Sequence, residues 1–293
     1  MRIRPTRSWM FVPGNKERFL AKAAGSDVDC VFLDLEDGVL PESKDEARAM
    51  VAKALRTEYR PQRYVRLNAA STRWHLDDLA AVVPSAPDGV CLPKCDDPAD
   101  VVALAARLEL IERDASIEPG ATRIVAAIES PVAVLNAAAI AKAHPRVVAL
   151  MLGAEDLALD LGLGTARVAE AAELVFARSM LVYAAAAARV VSIDGVFPNL
   201  DDPEGMERDT LQARRLGFGA KSTFNPRQVE VINEIFSPRP DEIAYARKVA
   251  AAFRDAEIRG DASVAVGGQL VDRPIVLRAH RLLELVDATG GEA

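Results

Sequence analysis

Acidic residues recur at one kind of place along this sequence, just after a short apolar run. Val28–Gly38 (VDCVFLDLEDG) begins as a buried-strand pattern and ends in Asp34, Glu36 and Asp37. Unpaired acids are costly to bury, so such a cluster belongs at a polar mouth, in an ion-pair network or beside a metal. The run RIVAAIE ends in Glu129, and VVALMLG is followed by Glu155 and Asp156. Two other runs deliver cations: RYVRLN carries Arg66 before Asn68, and GVCLP is closed by Lys94. Pro13, Gly14, Asp194 and Ser222 complete the set of run ends. An oxygen-rich group of this kind suits Mg2+, or alternatively Mn2+, which takes carboxylates together with waters and substrate oxygens. Glu129 and Asp156 end neighbouring runs and could share one ion. Arg66 and Lys94 suit a carboxylate or an oxyanion, and such a site could polarise a carbonyl beside a carboxylate. The competing reading pairs the same acids with Arg63, Arg66 and Lys94 in a purely structural network.

Asp272 stands apart, in the Gly-rich stretch Gly267-Gly268-Gln269-Leu270-Val271-Asp272. A carboxyl on a mobile lid could act as general acid or base; the plainer alternative is a turn residue. His75 and His144 read as solvated surface, His280 as packing or surface, and Trp9 and Trp74 as packing. No Ser/His/Asp or Cys/His set has a recognisable context. Cys30 and Cys91 read as core, and Cys91 with Cys95 lacks the partners of a zinc site. These cysteines indicate a reduced, cytoplasmic protein.

The elements that must position these residues alternate regularly. Strand-like runs fall at Ser8–Val12, Val28–Asp34, Arg63–Asn68, Gly89–Pro93, Arg123–Glu129, Val147–Gly153, Val190–Val196 and Phe218–Thr223. Helical stretches separate them, including Glu17–Ala24 capped by Asn15, Pro131–Ala143 started by Ser130, and an Ala-rich helix over 166–188. Eight strands alternating with helices predict a (β/α)8 TIM barrel of parallel strands, with catalytic groups at the strand C-termini. A doubly wound sheet is the runner-up, disfavoured because no G-x-G-x-x-G follows the first strand; Gly162-Leu163-Gly164 reads as a loop. The barrel occupies residues 1–237. Residues 238–293 form a helix-loop-helix extension that acts as lid, oligomer contact or both. The 293 residues are half hydrophobic, with net charge −7 and pI about 5.2. The arginines are scattered and no basic run appears, which argues against nucleic acid as a partner. No apolar run approaches a membrane span of ~18–20 residues, and no signal peptide is expected at the N-terminus.

The chain resembles the citrate lyase β-subunit-like proteins of the HpcH/HpaI aldolase/citrate lyase superfamily, the group that includes malyl-CoA and citramalyl-CoA lyases. The resemblance runs nearly end to end. It is carried by RSWMFVPGN (7–15), FLDLEDGV (32–39), YVRLN (64–68), GVCLPK (89–94), AIES (127–130), LGAEDL (152–157), residues 217–226 and GGQLVDRP (267–274). It implies a homotrimer or a dimer of trimers, and Mg2+ held by Glu129 and Asp156. It implies Arg66 facing the thioester oxygen, with Glu36 and Asp37 positioning metal waters and Arg66. Phe11, Pro13 and Asn15, with Arg18 and Lys22, match the cradle of the CoA arm, and Asp272 matches an acid delivered by a neighbouring subunit's lid. The implied reaction is cleavage or formation of a 3-hydroxy-carboxyacyl thioester, giving an acyl-CoA and a 2-oxo acid. Arg66 would stabilise the enolate oxygen, and Asp272 would protonate the carbon. A citrate lyase β subunit acting on a carrier-bound citryl group, a malyl-CoA thioesterase and a silent CoA-binding scaffold are the alternatives. Two departures bear on acyl-group and CoA binding rather than on the metal: Phe224-Asn225-Pro226 where the family has His-Pro, and Gly267-Gly268-Gln269 where it has Asp-Gly-Lys or Glu-Gly-Gln.

Overall fold

The computed structural model describes residues 6–164 and 169–289. Eight parallel strands close on one another in chain order: β1 (Ser8–Pro13), β2 (Cys30–Asp34), β3 (Gln62–Arg66), β4 (Gly89–Leu92), β5 (Arg123–Ile128), β6 (Val147–Leu152), β7 (Val191–Asp194) and β8 (Ala220–Thr223). β8 pairs back onto β1 through Lys221–Thr223 against Ser8–Met10. Helices α1 (Glu17–Ala24), α2 (Lys44–Ala54), α3 (His75–Val82), α4 (Pro98–Asp114), α5 (Pro131–Lys142), α6 (Ala154–Asp160), α7 (Val175–Ala188), α8 (Pro203–Leu216) and α9 (Val229–Phe236) surround them. This is the predicted (β/α)8 barrel. Its strands are covered on both faces, which is why a segment such as CVFLD is apolar up to its last residue and buried throughout.

Side chains two apart point to the same side of a strand. Trp9, Cys30, Phe32, Tyr64, Cys91, Val125, Ala127, Ala149, Met151, Ile193 and Ala220 form the barrel interior in this way, with Phe11 packed on them. Its centre is aromatic, with Trp9 ring centroids 4.9 Å from Phe32 and 4.8 Å from Tyr64. Helix starts are set by local chemistry. Asp97, Ser130 and Asp202 accept hydrogen bonds from Ala99, Ala133 and Gly205 backbone N–H groups, with proline in the first turn each time. Asn15 caps nothing: α1 starts after Lys16, and the Asn15 Oδ1 is a buried acceptor without a partner.

Charged pairs close the end where the strands begin. Arg7 pairs with Asp29 at 2.8 Å, Arg63 with Asp88 at 3.4 Å, and Arg146 with Glu112 at 2.7 Å. Arg63 is thus at the end opposite the strand-end acids it was set against. Between barrel and helices lies a fully buried tetrad. Lys221 donates to Asp194 at 2.7 Å and to Asp209 at 2.6 Å, while Arg178 donates to both oxygens of Asp194 and stands 3.1 Å from Asp209. Asp194 follows inward-facing Ile193, so its side chain points outward into this tetrad and not into the mouth.

The Ala-rich helix expected from 166 begins at α7 proper, after a 3-10 segment Ala169–Leu174; residues 165–168 lie outside the described residues. Contrary to expectation, Ala171–Ala188 is long and apolar enough by composition to cross a membrane. Here it is a barrel helix, burying Ala177, Arg178, Leu181, Ala184 and Ala185, with Arg178 ion-paired in the tetrad.

The residues divide into two compact units, Thr6–Ile235 and a unit beginning at Phe236. The second contains α10 (Pro240–Arg259), an antiparallel hairpin of β9 (Val264–Val266) and β10 (Gln269–Val271), and α11 (Arg273–Thr289). It has its own core of Ala246, Val249, Phe253, Val271, Val276 and Ala279. The Gly-rich stretch expected as a loop is the turn of this hairpin. Gly267 and Gly268 have φ of 57° and 81°, the paired positive φ that a two-residue hairpin turn requires.

Candidate active site at the strand C-termini

One inward step above the aromatic layer, the apolar side chains give way to polar ones. Asp34 follows Phe32 by two, Arg66 follows Tyr64, Glu129 follows Ala127, and Ser222 follows Ala220. Asp34 and Arg66 are register partners on adjacent strands. Arg66 donates from Nε to Asp34 Oδ1 and from Nη2 to Oδ2, both at 2.7 Å. Asp34 also accepts the backbone N–H groups of Glu36 at 2.9 Å and Gly38 at 3.0 Å. A side chain at residue 38 would collide with that carboxylate, which is why the acidic turn ends in glycine. The guanidinium lies 4.6 Å from the Phe11 ring centroid. Burial works against its charge, but Asp34 and then Glu36 outweigh it and raise the Arg66 pKa. Three of the five N–H groups of an arginine remain beyond the two given to Asp34.

Glu36 hangs over this pair. Its Oε2 is 3.1 Å from Arg66 Nη1 and its Oε1 is 3.4 Å from Lys94 Nζ, yet neither oxygen accepts an aligned hydrogen bond. Burial, helped by Glu129 and Asp37, pushes its carboxyl up to about 7 against the pull of Arg66 and Lys94. Lys44 Nζ donates to the Leu35 and Glu36 carbonyls at 2.7 and 2.8 Å, fixing the turn from α2. On the far side, Glu129 is buried, and its Oε2 accepts the Lys94 backbone N–H at 2.9 Å. Gly153 lies against the Glu129 carboxyl so closely that any Cβ there would meet it. Burial pushes Glu129 up to about 6; the Lys94 N–H and the Arg66 charge oppose this, and Asp156 adds to it. Asp156 itself is half-buried in the first turn of α6.

The structure therefore gathers Glu36, Arg66, Lys94, Glu129 and Asp156 at one mouth. Asp37 is exposed on the same turn. Phe11 and Pro13 line the end of β1, and Arg18 and Lys22 are exposed one turn apart on α1. Asp272 belongs to the C-terminal unit. It is exposed, and its carbonyl accepts the Ile275 and Val276 N–H groups at the start of α11. His75 is not surface: it is buried, with Nδ1 2.8 Å from the Asn68 carbonyl oxygen. It and Asp78, which accepts from Asn68 at 2.7 Å, tie down the loop after β3. Asp34 was legible as an acid but not as the residue that orients Arg66, although its spacing from Phe32 placed it inward. Two carboxyls pushed upward beside one another mark a surplus of buried negative charge that a cation would relieve. Among the described residues no three His, Cys, Asp or Glu side chains converge on a metal position. Mg2+ does not need such a cage, since one or two carboxylates with waters and substrate oxygens suffice, and Glu129 with Asp156 fit that demand.

Residues 7–226 match the family model described as HpcH/HpaI aldolase/citrate lyase. The chain is 38% identical to the citrate lyase subunit beta of Leuconostoc mesenteroides subsp. cremoris, covering 96% of this chain and 93% of that protein. It is 35% identical to a (3S)-malyl-CoA thioesterase of Cereibacter sphaeroides, covering 97% and 95%. Among solved structures it is similar to protein CitE of Mycobacterium tuberculosis in complex with magnesium, acetoacetate and coenzyme A. That likeness has 31% identity and a TM-score of 0.80, and covers 99% of this chain and 100% of that one.

Proposed function

Because the chain belongs to the HpcH/HpaI aldolase/citrate lyase family, we propose that it is a Mg2+-dependent carbon–carbon lyase cleaving or forming a 3-hydroxy-carboxyacyl thioester of malyl, citramalyl or citryl type. The observation that carries this reading is the pairing of surplus buried acid at Glu36 and Glu129 with an oriented guanidinium at Arg66. Held by Glu129 and Asp156, Mg2+ would supply Lewis-acid polarisation of the hydroxyl or carbonyl oxygen beside the substrate carboxylate. The chain's own groups do the rest. As the C–C bond breaks, its electron pair moves onto the thioester as an enolate, and the N–H groups of Arg66 not given to Asp34 face the enolate oxygen. Asp34 and Phe11 keep the guanidinium aimed, so little reorganisation is left for the reaction itself. The hydroxyl proton passes to water, and protonated Asp272 of a neighbouring copy gives its proton to the acyl carbon and is left as a carboxylate, which water reprotonates. Glu36 and Asp37 hold waters and steady Arg66. Phe11, Pro13, Asn15, Arg18 and Lys22 receive the CoA arm, which the bound coenzyme A in the CitE complex supports.

A homotrimer fits this reading. α5 and α7 pack side by side and leave Val132, Leu135, Phe176 and Tyr183 exposed, an apolar face suited to a second copy. Three free, buried cysteines support a cytoplasmic setting. A thioesterase is the second reading, favoured by the malyl-CoA thioesterase relative. A carrier-bound citryl substrate is the third, favoured by the citrate lyase relative. The deciding experiment incubates the purified protein with malyl-CoA and, separately, citramalyl-CoA, with Mg2+ or with EDTA. EDTA-sensitive release of glyoxylate or pyruvate together with acetyl-CoA supports the lyase. Free CoA without a 2-oxo acid supports the thioesterase. No product from either substrate refutes a lyase of free malyl- or citramalyl-CoA and points to the carrier-bound substrate.

A further inference from the structure

Lys94 is one of the few non-glycine residues with positive φ, at 51°. Lysine has no preference for that region, so the surroundings must hold it there. They do so from two sides. The left-handed turn aims the Lys94 backbone N–H at Glu129 Oε2, 2.9 Å away, while the side chain runs back to place Nζ 3.4 Å from Glu36 Oε1. One residue thereby spans the two buried acids of the mouth, with its backbone on one and its ammonium on the other. Gly153, having no Cβ, leaves room beside Glu129 Oε1 that any side chain would fill. The Lys94 N–H takes one lone pair of Oε2 and fixes the rotation of the carboxylate, which leaves Oε1 as the oxygen with both lone pairs open to a ligand. On the other side, Glu36 lies between two cations, so Lys94 limits how far Glu36 can draw Arg66 out of its seat on Asp34 and Phe11.

We propose that Lys94 is a positioning residue with two separable parts: its backbone N–H fixes which oxygen of Glu129 is free to bind Mg2+, and its ammonium balances Glu36 against Arg66. This rests on the metal-dependent lyase reading, so the test reads metal binding and turnover separately. Lys94→Ala and Lys94→Gly remove the ammonium and keep the N–H; glycine accepts positive φ freely. Lys94→Val also removes the ammonium, but its β-branched side chain resists positive φ and turns the N–H away. Lys94→Arg keeps a cation. Mg2+ affinity is measured by calorimetric titration without substrate, folding by circular dichroism and thermal melting, and kcat and KM with whichever hydroxyacyl thioester the wild type cleaves.

The expected pattern has four parts. Alanine and glycine bind Mg2+ within about threefold of wild type. Their kcat falls about two- to fivefold at little-changed KM, the size of effect a half-exposed ion pair carries. Arginine restores most of that kcat. Valine, folded by circular dichroism, binds Mg2+ about 10–100-fold more weakly than alanine, as the loss of an orienting partner of a metal ligand does. Equal Mg2+ affinity in the valine and alanine variants overturns the backbone part. Full kcat in the glycine and alanine variants overturns the ammonium part. A valine variant that melts far below alanine also counts against the proposal, because the turn would then serve the fold. If the wild type binds no Mg2+, the metal reading fails first and takes the backbone part with it. If it binds Mg2+ but cleaves no thioester, only the reaction reading and the ammonium part fall.

Discussion

Replacing Asp34 with asparagine tests the centre of the site. Asp34 is almost completely buried and accepts four hydrogen bonds, two from Arg66 and one each from the Glu36 and Gly38 N–H groups. Asparagine has nearly the same shape, but one oxygen becomes an NH2 that only donates. Whichever way the amide turns, two of the four donors then face another donor, one of them on Arg66. Each buried group so stranded costs about 1–3 kcal/mol, and breaking one side of a buried ion pair costs about 3–5 kcal/mol. Because these describe the same loss, we expect Asp34→Asn to destabilise the barrel by about 3–5 kcal/mol. Urea unfolding followed by tryptophan fluorescence reads this directly, since Trp9 sits in the aromatic layer below Asp34. The functional loss is separate. Without Asp34 the strongest remaining partner of Arg66 is Glu36, 3.1 Å from Nη1. The guanidinium should turn towards it, and kcat should fall by about 10²-fold, as for a misdirected oxyanion donor. Unfolding within 1 kcal/mol of wild type together with normal kcat would show that Asp34 does not hold Arg66, and the account of the site would be wrong.

Other substitutions separate other parts. Asp156→Ala should keep the fold by circular dichroism and lose Mg2+-dependent turnover; retained EDTA-sensitive activity removes it from the metal assignment. Asp272→Asn should fold and bind CoA, seen by calorimetry, while cleavage drops by about 10²–10⁴-fold as for a lost general acid. Unimpaired cleavage would mean that the proton comes from elsewhere. Glu112 provides a stability test at the opposite end of the barrel. Burial pushes its carboxyl up, but hydrogen bonds from Arg146, Gly120 and Thr122 outweigh it and bring it down to about 2. The folded value lies below the unfolded one, so the unfolded chain binds more protons in between. The stabilisation is fully present above the ordinary glutamate range and is lost as pH falls towards 2. At neutral pH it amounts to about 3 kcal/mol. Glu112→Gln should therefore be less stable at pH 7, and its deficit should shrink steadily between pH 5 and pH 2; a deficit independent of pH would contradict this.

The barrel was legible because its strands are covered on both faces, so several, such as CVFLD, GVCL and VVALML, appear as apolar runs followed by polar residues; QRYVR and AKST are not of this kind and were legible from their place in the alternation with helices. The acids and cations at those ends were legible for the same reason. What joins them was not. Asp34 and Arg66 are 32 residues apart, and only the β2–β3 register makes them neighbours. The outward turn of Asp194 follows from the pleat after Ile193, and a list of strand-end residues does not distinguish inside from outside. His75 looked solvated because its partner, the Asn68 carbonyl, comes into reach only when α3 folds back over the loop after β3. The positive φ of Lys94 has no residue-type cue, since lysine does not favour it. The Gly267-Gly268 hairpin did carry one: a glycine pair between VAV and QLV is a two-residue turn signal.

The ion pairs of Arg7, Arg63 and Arg146 lie at one end of the barrel, the acids of the mouth lie at the other, and a buried layer of Trp9, Phe32 and Tyr64 separates them. The clasps that keep the cylinder shut are thus insulated from the loops around the mouth. A lineage can exchange residues above the aromatic floor without loosening the closure below. Phe224, exposed at the rim just past β8, is where such a change costs the fold least, whereas half-buried Asn225 beside it caps the next turn by accepting the Arg227 N–H.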